Sequence, residues 1–202
     1  MSAMGQAKLP GRPRCEETRA AILRAAYELL ESGGLSAFTI EAVAERSGAA
    51  KTTIYRWWPN KGALAMESFL RVAERLSPFP ETGSPRADLR AHLHLFARAL
   101  RGRAGRLLAG IVAEAQIDPA TRAAFVASYV APRRQAARRL LERGVALGEL
   151  RPDLDVESVC DALYGFFYMR LLFGHAPMDR AAVDRILDIV LCGIGRSDGR
   201  AA

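Results

Sequence analysis

The stretch Thr39-IEAVAERSGAAKTTIYRWWPN-Lys61 decides the fold. Thr39 is a residue that favours a helix N-cap, and Phe38 just before it is placed to close on Val43 as a hydrophobic staple. The short helix that begins there ends near Arg46, and Ser47 and Gly48 follow as a tight turn in which glycine supplies the positive φ. Lys51 to Trp58 make the next helix. Pro59 stops it, because proline disfavours helical geometry in the residue before it, and Asn60 caps the helix beyond. Ala44 is small where the two short helices approach, and Val43, Ala49, Ile54 and Trp57 or Trp58 can fill the core they share. Two short helices that meet this closely, with the second held outward, make a helix-turn-helix.

Working outward, Cys15 to Ser32 reads as the first helix. Glu16 and Glu17 suit the dipole of its first turn, Ile22, Ala26, Leu29 and Leu30 share one face, and Gly33 and Gly34 end it. The helix capped by Asn60 runs to about Leu76, where Pro78, Pro80, Gly83 and Pro85 impose a loop. Leu89, Leu93, Phe96 and Leu100 mark one further helix, and Leu107, Leu108, Ile111 and Val112 a second. A long third helix spans 120–147, bent at Pro132 and closed by Gly148. Residues 155–173 and 179–193 form the last two. No run of alternating β-branched residues occurs, so the expected fold is all-α with about nine helices. Three regions follow: a flexible basic arm at 1–14, the helix-turn-helix domain at 15–61 and a helical body at 62–202.

The 202 residues are half hydrophobic and one quarter charged, the balance of a globular chain. Uncharged runs fall far short of the ~20 apolar residues of a membrane helix, and no apolar h-region follows the basic start, so a cytoplasmic protein is expected. Cys15, Cys160 and Cys192 are widely spaced, with neither a CxxC pair nor a histidine at ligand spacing; they read as reduced thiols, with no metal and no cofactor expected. A formal charge of +7 favours a polyanionic partner. Residues 1–14 hold three basic side chains and no acid, whereas 15–61 hold six of each, so the excess begins in the arm.

Thr39-Ile40 through Ala44, followed by Gly48-AAKTTIYRWWPN-Lys61, resembles the DNA-binding domain of the TetR family of one-component regulators, closely over about 15–70 and by length and helix count beyond. The resemblance implies a homodimer with an N-terminal DNA reader and a C-terminal body that dimerises and senses a small-molecule effector, most often a repressor released from its double-stranded DNA operator by that effector. By the same resemblance Thr39 meets a phosphate through its hydroxyl and amide, and Lys51, Thr52 and Thr53 lie where the family reads base edges and phosphates. Tyr55 and Trp57 donate to the DNA backbone, and Arg56 reaches a guanine or only a phosphate. Trp58 reads instead as a core plug. Lys61 opposes the dipole at the first turn of its helix, and a phosphate held there reverses the sign; a solvated surface lysine is the plainer alternative. Ala50 departs from the Ser or Thr common at its position and removes a capping hydroxyl worth about 1 kcal/mol. Arg12 and Arg14 are either a minor-groove arm or a solubilising tail.

In the body, Leu163, Phe166, Phe167, Leu171, Ile186, Ile189 and Val190 are candidates for a four-helix dimer contact or for the core beneath it. His94, Phe96, Phe125, Tyr129, Tyr164, Tyr168 and Arg170 are candidates for an effector pocket, although each is also an ordinary core or rim residue. The basic clusters at 98–106 and 133–143 read as solvated helix faces. An enzyme finds little support: His92 and His94 point to opposite sides of a helix, and the chain has neither a nucleophile elbow nor a glycine-rich phosphate loop. A helical interaction protein without DNA binding remains the alternative, and it has no need of the polar set Lys51, Thr53, Arg56 and Lys61.

Overall fold

The computed structural model describes residues 12–194, with side chains at 15–34 and 38–192. All regular structure in this range is helical: α1 Arg12–Ala37, α2 Ile40–Ser47, α3 Lys51–Trp57, α4 Lys61–Leu76, α5 Pro85–Arg101, α6 Arg103–Ile117, α7 Pro119–Phe125, α8 Ala131–Ala146, α9 Val156–Phe173 and α10 Arg180–Ile194. A π turn, Val126–Val130, joins α7 to α8 in one rod, so nine helices are present among the described residues. The chain forms two compact units that divide between Ser68 and Phe69, inside α4.

In the first unit the expected signals act where they were expected. The Thr39 hydroxyl caps α2 by accepting from the Ala42 amide at 3.2 Å, and Gly48 ends α2 at φ 70°. Gly34, at φ 66°, breaks the helical path of α1. That helix begins at Arg12, three residues before the expected start, so the backbone of Arg12 and Arg14 is helical rather than part of a loose arm. Their side chains lie outside the described residues, as do residues 1–11. Ile22, Leu30, Phe38, Val43, Ile54, Trp58 and Leu64 are buried together as the core.

In the second unit α5 is central and packs against α6, α8, α9 and α10. Its inner face, Leu89, His92, Leu93, Phe96 and Leu100, is buried, and so are Leu108, Leu141, Leu163, Phe167 and Leu187 from helices around it. Ser84 caps α5, and Pro85 sits in the first turn, where its missing N–H costs nothing. Pro132 lies in the first turn of α8, and the π turn just before it carries an i→i−5 bond from the Ala131 amide to the Val126 carbonyl.

Burial corrects part of the dimer set. Leu163, Phe167 and Val190 belong to the core of the single chain, because α5 and the α9–α10 packing cover them; Phe166, Leu171 and Ile186 are half-buried. Of that set only Ile189 stands fully in the open, at 69% exposure.

Candidate DNA-binding surface and effector cavity

Lys51, Thr52, Tyr55 and Arg56 are exposed along α3, Thr53 and Trp57 are half-buried, and Ile54 points into the core. The helix stands firmly because Trp58, just past its end, is a buried plug whose indole N–H donates to Glu67 Oε2 at 2.7 Å. The other oxygen of Glu67 accepts from Arg19, whose guanidinium also lies 5.7 Å from the Trp58 ring centroid. One acid from α4 thus ties α1 and the end of α3 together, a role that no helix-face argument assigns to Glu67. Trp57 meets Trp58 edge-on at 5.6 Å and carries the Arg56 guanidinium 5.2 Å above its ring, which holds Arg56 on the outer face.

Beside α3 lies a groove of about 330 Å³ that gathers Thr39, Glu41, Tyr55, Asn60 and Lys61. Two helices begin at its wall. Thr39 caps α2, and Asn60 Oδ1 caps α4 by accepting from the Ala63 amide at 2.8 Å. The first amides of α2 and α4 that the caps leave unbonded, a phenol and an ammonium make a cradle for an oxyanion. Lys61 is exposed, and no described carboxylate pairs with it. Ala50 gives α3 no side-chain cap, as its lack of a hydroxyl predicts. Glu41 was not anticipated: its carboxylate accepts from Lys51 Nζ at 2.6 Å across the turn, and that bond, with the lysine charge behind it, holds Glu41 below the usual glutamate range. Nothing in a helical wheel signals a pair ten residues apart on two short helices.

The second unit contains a cavity of about 440 Å³ walled by Phe96, Val112, Phe125, Tyr129, Val130, Arg133, Arg134, Asp161, Tyr164, Gly165 and Tyr168. Five of the seven expected pocket residues therefore come together: Phe96, Phe125, Tyr129, Tyr164 and Tyr168. His94 is not among them. Two positions from His92 on α5, it turns away to pair with Asp184 of α10 at 2.8 Å and lines a separate groove. Arg170 is absent too, because its guanidinium folds over the Phe166 ring at 4.2 Å and donates to the Pro177 carbonyl. Arg133, Arg134 and Asp161 were missed, since the cluster at 133–143 reads as solvated on a helical wheel. Burial raises the Tyr129, Tyr164 and Tyr168 hydroxyls above the ordinary tyrosine value, so all three stay protonated. Tyr129 and Tyr168 bond to each other, and Tyr164 to His92 Nε2 at 2.9 Å.

On α9, Met169, Leu172 and Phe173 are open to solvent at 58%, 45% and 74%, beside half-buried Phe166 and, on α10, Ile189. Cys15 and Cys192 are exposed, Cys160 is buried, and all three are free thiols. Among the described residues no helix is long and apolar enough to cross a membrane, and no cluster of three His, Cys, Asp or Glu is placed to hold a metal.

Residues 22–67 match the model of the bacterial regulatory proteins of the tetR family, and residues 79–190 match the tetracyclin repressor-like C-terminal domain. The chain belongs to the TetR family. An uncharacterized HTH-type transcriptional regulator of Bacillus subtilis, YdeS, is 40% identical over 88% of this chain and 90% of its own length. A DNA-binding transcriptional repressor TetR of Mycobacteroides abscessus is 29% identical over 93% and 98%. The crystal structure of the TetR family transcription regulator SCO0332 superposes with a TM-score of 0.79 at 41% identity, over 88% of this chain and 98% of that one. As a TetR-family member the protein is a ligand-responsive, DNA-binding transcriptional regulator, and such regulators bind operators as dimers. Its relatives are transcriptional regulators rather than enzymes.

Proposed function

We propose that the protein acts in the cytoplasm as a homodimeric repressor, reading its operator with Thr39, Lys51, Thr52, Thr53, Tyr55, Arg56, Trp57 and Lys61. The observation that carries this reading is the groove that brings Thr39, Tyr55 and Lys61 to the starts of two helices, next to the exposed face of α3. A phosphate in that groove meets helix amides and a cation at once and fixes the register in which α3 enters the major groove. Thr53 and Arg56 then read base edges, the arginine either through guanine or through a phosphate. Repression is also the activity named for the M. abscessus relative.

The uncovered apolar strip Phe166, Met169, Leu172, Phe173 and Ile189 forms the twofold contact of α9 and α10, with Leu163, Phe167 and Val190 supporting it from below. An apolar patch of this kind on one side of a helix pair marks a partner surface. The aromatic cavity takes the effector, which releases the operator by changing how the two reading heads are spaced.

Salt titration of duplex binding tests the phosphate assignment. Lys61→Ala weakens specific and random duplexes alike and flattens the slope of log K against log salt by about one unit. An unchanged slope refutes the role of Lys61. Selection from random duplexes returns an altered site for Thr53→Ala or Arg56→Ala if those side chains touch bases, and the same site for both if they do not. A helical interaction protein retains no duplex even at low salt.

A further inference from the structure

The wall of the aromatic cavity carries three ionic groups, and their charges do not cancel. Arg134 is matched twice, by Glu157 and by Asp161. Arg133 has no carboxylate partner among the described residues. Its guanidinium lies 5.4 Å from the ring centroids of Phe96 and Tyr129 and 5.6 Å from that of Phe79. Asp161 pairs with Arg134, which also shares Glu157 with Arg138, so Arg133 is the guanidinium of the lining whose charge no described carboxylate meets. A cation faced mostly by ring carbon is poorly solvated, and an anion beside it removes that cost.

The remaining walls specify shape. Phe125 and Tyr129 stack at 5.3 Å and 17°, and Tyr164 meets Phe96 edge-on at 5.5 Å. Ring faces and edges at these spacings suit a further flat ring. Arg133 has one more commitment: its Nη2 donates to the Ser77 hydroxyl at 2.8 Å and to the Ser77 carbonyl at 3.2 Å, directly after α4, where the Ser77 amide closes that helix on Ala73. A cation there also complements the C-terminal end of the α4 dipole.

We propose that the effector is a planar aromatic monoanion whose charge is met by Arg133, and that it competes with Ser77 for that guanidinium. The proposal rests on the reading of this cavity as the effector site and adds the ligand's chemical class and its first mechanical consequence: a bound anion takes the cation away from the end of α4.

Calorimetry on the full chain with benzoate, 2-naphthoate and 4-phenylbenzoate, each against its neutral amide, tests the assignment. At least one acid binds roughly ten- to a hundredfold more tightly than its amide, the span of a hydrogen bond to a charged group. Arg133→Gln abolishes the preference for the acid while the amide still binds. Ser77→Ala, which removes one competitor, tightens the acid severalfold and leaves the amide unchanged. Gly165→Leu projects into the cavity from a position where an added Cβ meets nothing within 4 Å, and with helical content unchanged by circular dichroism it blocks acid and amide alike. Equal binding of acid and amide, both blocked by Gly165→Leu, overturns the anion assignment and leaves the cavity as the effector site. Binding that Gly165→Leu does not touch overturns the cavity reading itself. Failure of every acid to bind overturns the proposal, and an acid affinity unmoved by Ser77→Ala overturns the competition.

Discussion

His92 makes the stability of the second unit depend on pH between 7 and 5, above the range in which its lowered carboxylates titrate. The ring is fully buried, stacked on Phe79 at 3.7 Å between centroids, with Nδ1 2.9 Å from the Pro78 carbonyl and Nε2 2.9 Å from the Tyr164 hydroxyl. A carbonyl only accepts, so Nδ1 carries the hydrogen and Nε2 accepts from Tyr164. A second proton, on Nε2, would bury a cation and displace the tyrosine. Burial pushes the His92 pKa down from 6.5 to about 3; the Pro78 carbonyl opposes this weakly, and the nearby Arg133 charge adds to it. The unfolded chain binds a proton as pH falls through about 6.5, while the folded chain refuses it until about 3. His92 therefore favours the folded state fully above pH 6.5, and this contribution is lost progressively as pH drops towards 3. Between pH 7 and pH 5 the linkage amounts to roughly 2 kcal/mol, a figure that hardly changes for any folded-state pKa below about 4. Urea unfolding at fixed protomer concentration measures it, because dimerisation otherwise shifts the midpoint. His92→Gln keeps a donor and an acceptor and does not titrate, and effects of other groups cancel in the comparison. The wild-type chain is expected to lose roughly 2 kcal/mol more than the variant over that interval. Equal losses would show that His92 is charged or hydrated in the folded protein, and the reasoning would fail.

Further outcomes follow from the ion pairs and the open strip. Glu41→Gln frees Lys51 and removes a like charge from the phosphate groove, so duplex affinity at low salt rises about fivefold, the scale of an exposed pair; filter binding showing weaker retention would contradict this. Asp88 is fully buried and accepts from the Thr82 amide and hydroxyl and from Arg143. Asp88→Asn removes the close partner of Arg143, leaving Glu81 at 3.8 Å, and is expected to cost roughly 2–4 kcal/mol in urea unfolding, less than a wholly enclosed pair because Arg143 is one third exposed. Met169→Asp and Phe173→Asp place a charge on the apolar strip of α9 and give monomers by sedimentation at micromolar concentration, with helical content unchanged. Dimers that persist in both variants would place the twofold contact elsewhere.

The reading head was legible because each of its requirements is local. A cap at Thr39, a left-handed glycine at 48, a stop at Pro59 and a cap at Asn60 each act within four residues, and the structure contains all of them. The polar links between elements were not legible. Glu67 holding Trp58 and Arg19, and Glu41 holding Lys51, join residues whose separation has no helical period. The aromatic members of the cavity announced themselves by composition, while its arginines did not. Arg133, assigned to solvent with its basic neighbours because apolar residues lie opposite them, follows Phe125 and Tyr129 at intervals of four and faces the cavity with them. The candidates for the twofold contact suffered a related error: apolar residues of α9 and α10 are alike in type, and only the position of α5 decides that Phe167 is covered and Phe173 is not.

The five residues Val126–Val130 thus take up one residue without turning the side chains that follow away from the cavity. A gene that lost one codon there would encode nearly the same composition and a regular α-helical rod, and because the turn absorbs the one added residue, Arg133 would keep its side. A one-residue gap here is then neutral for the lining of the cavity, whereas substitution at the position of Arg133 removes its cation.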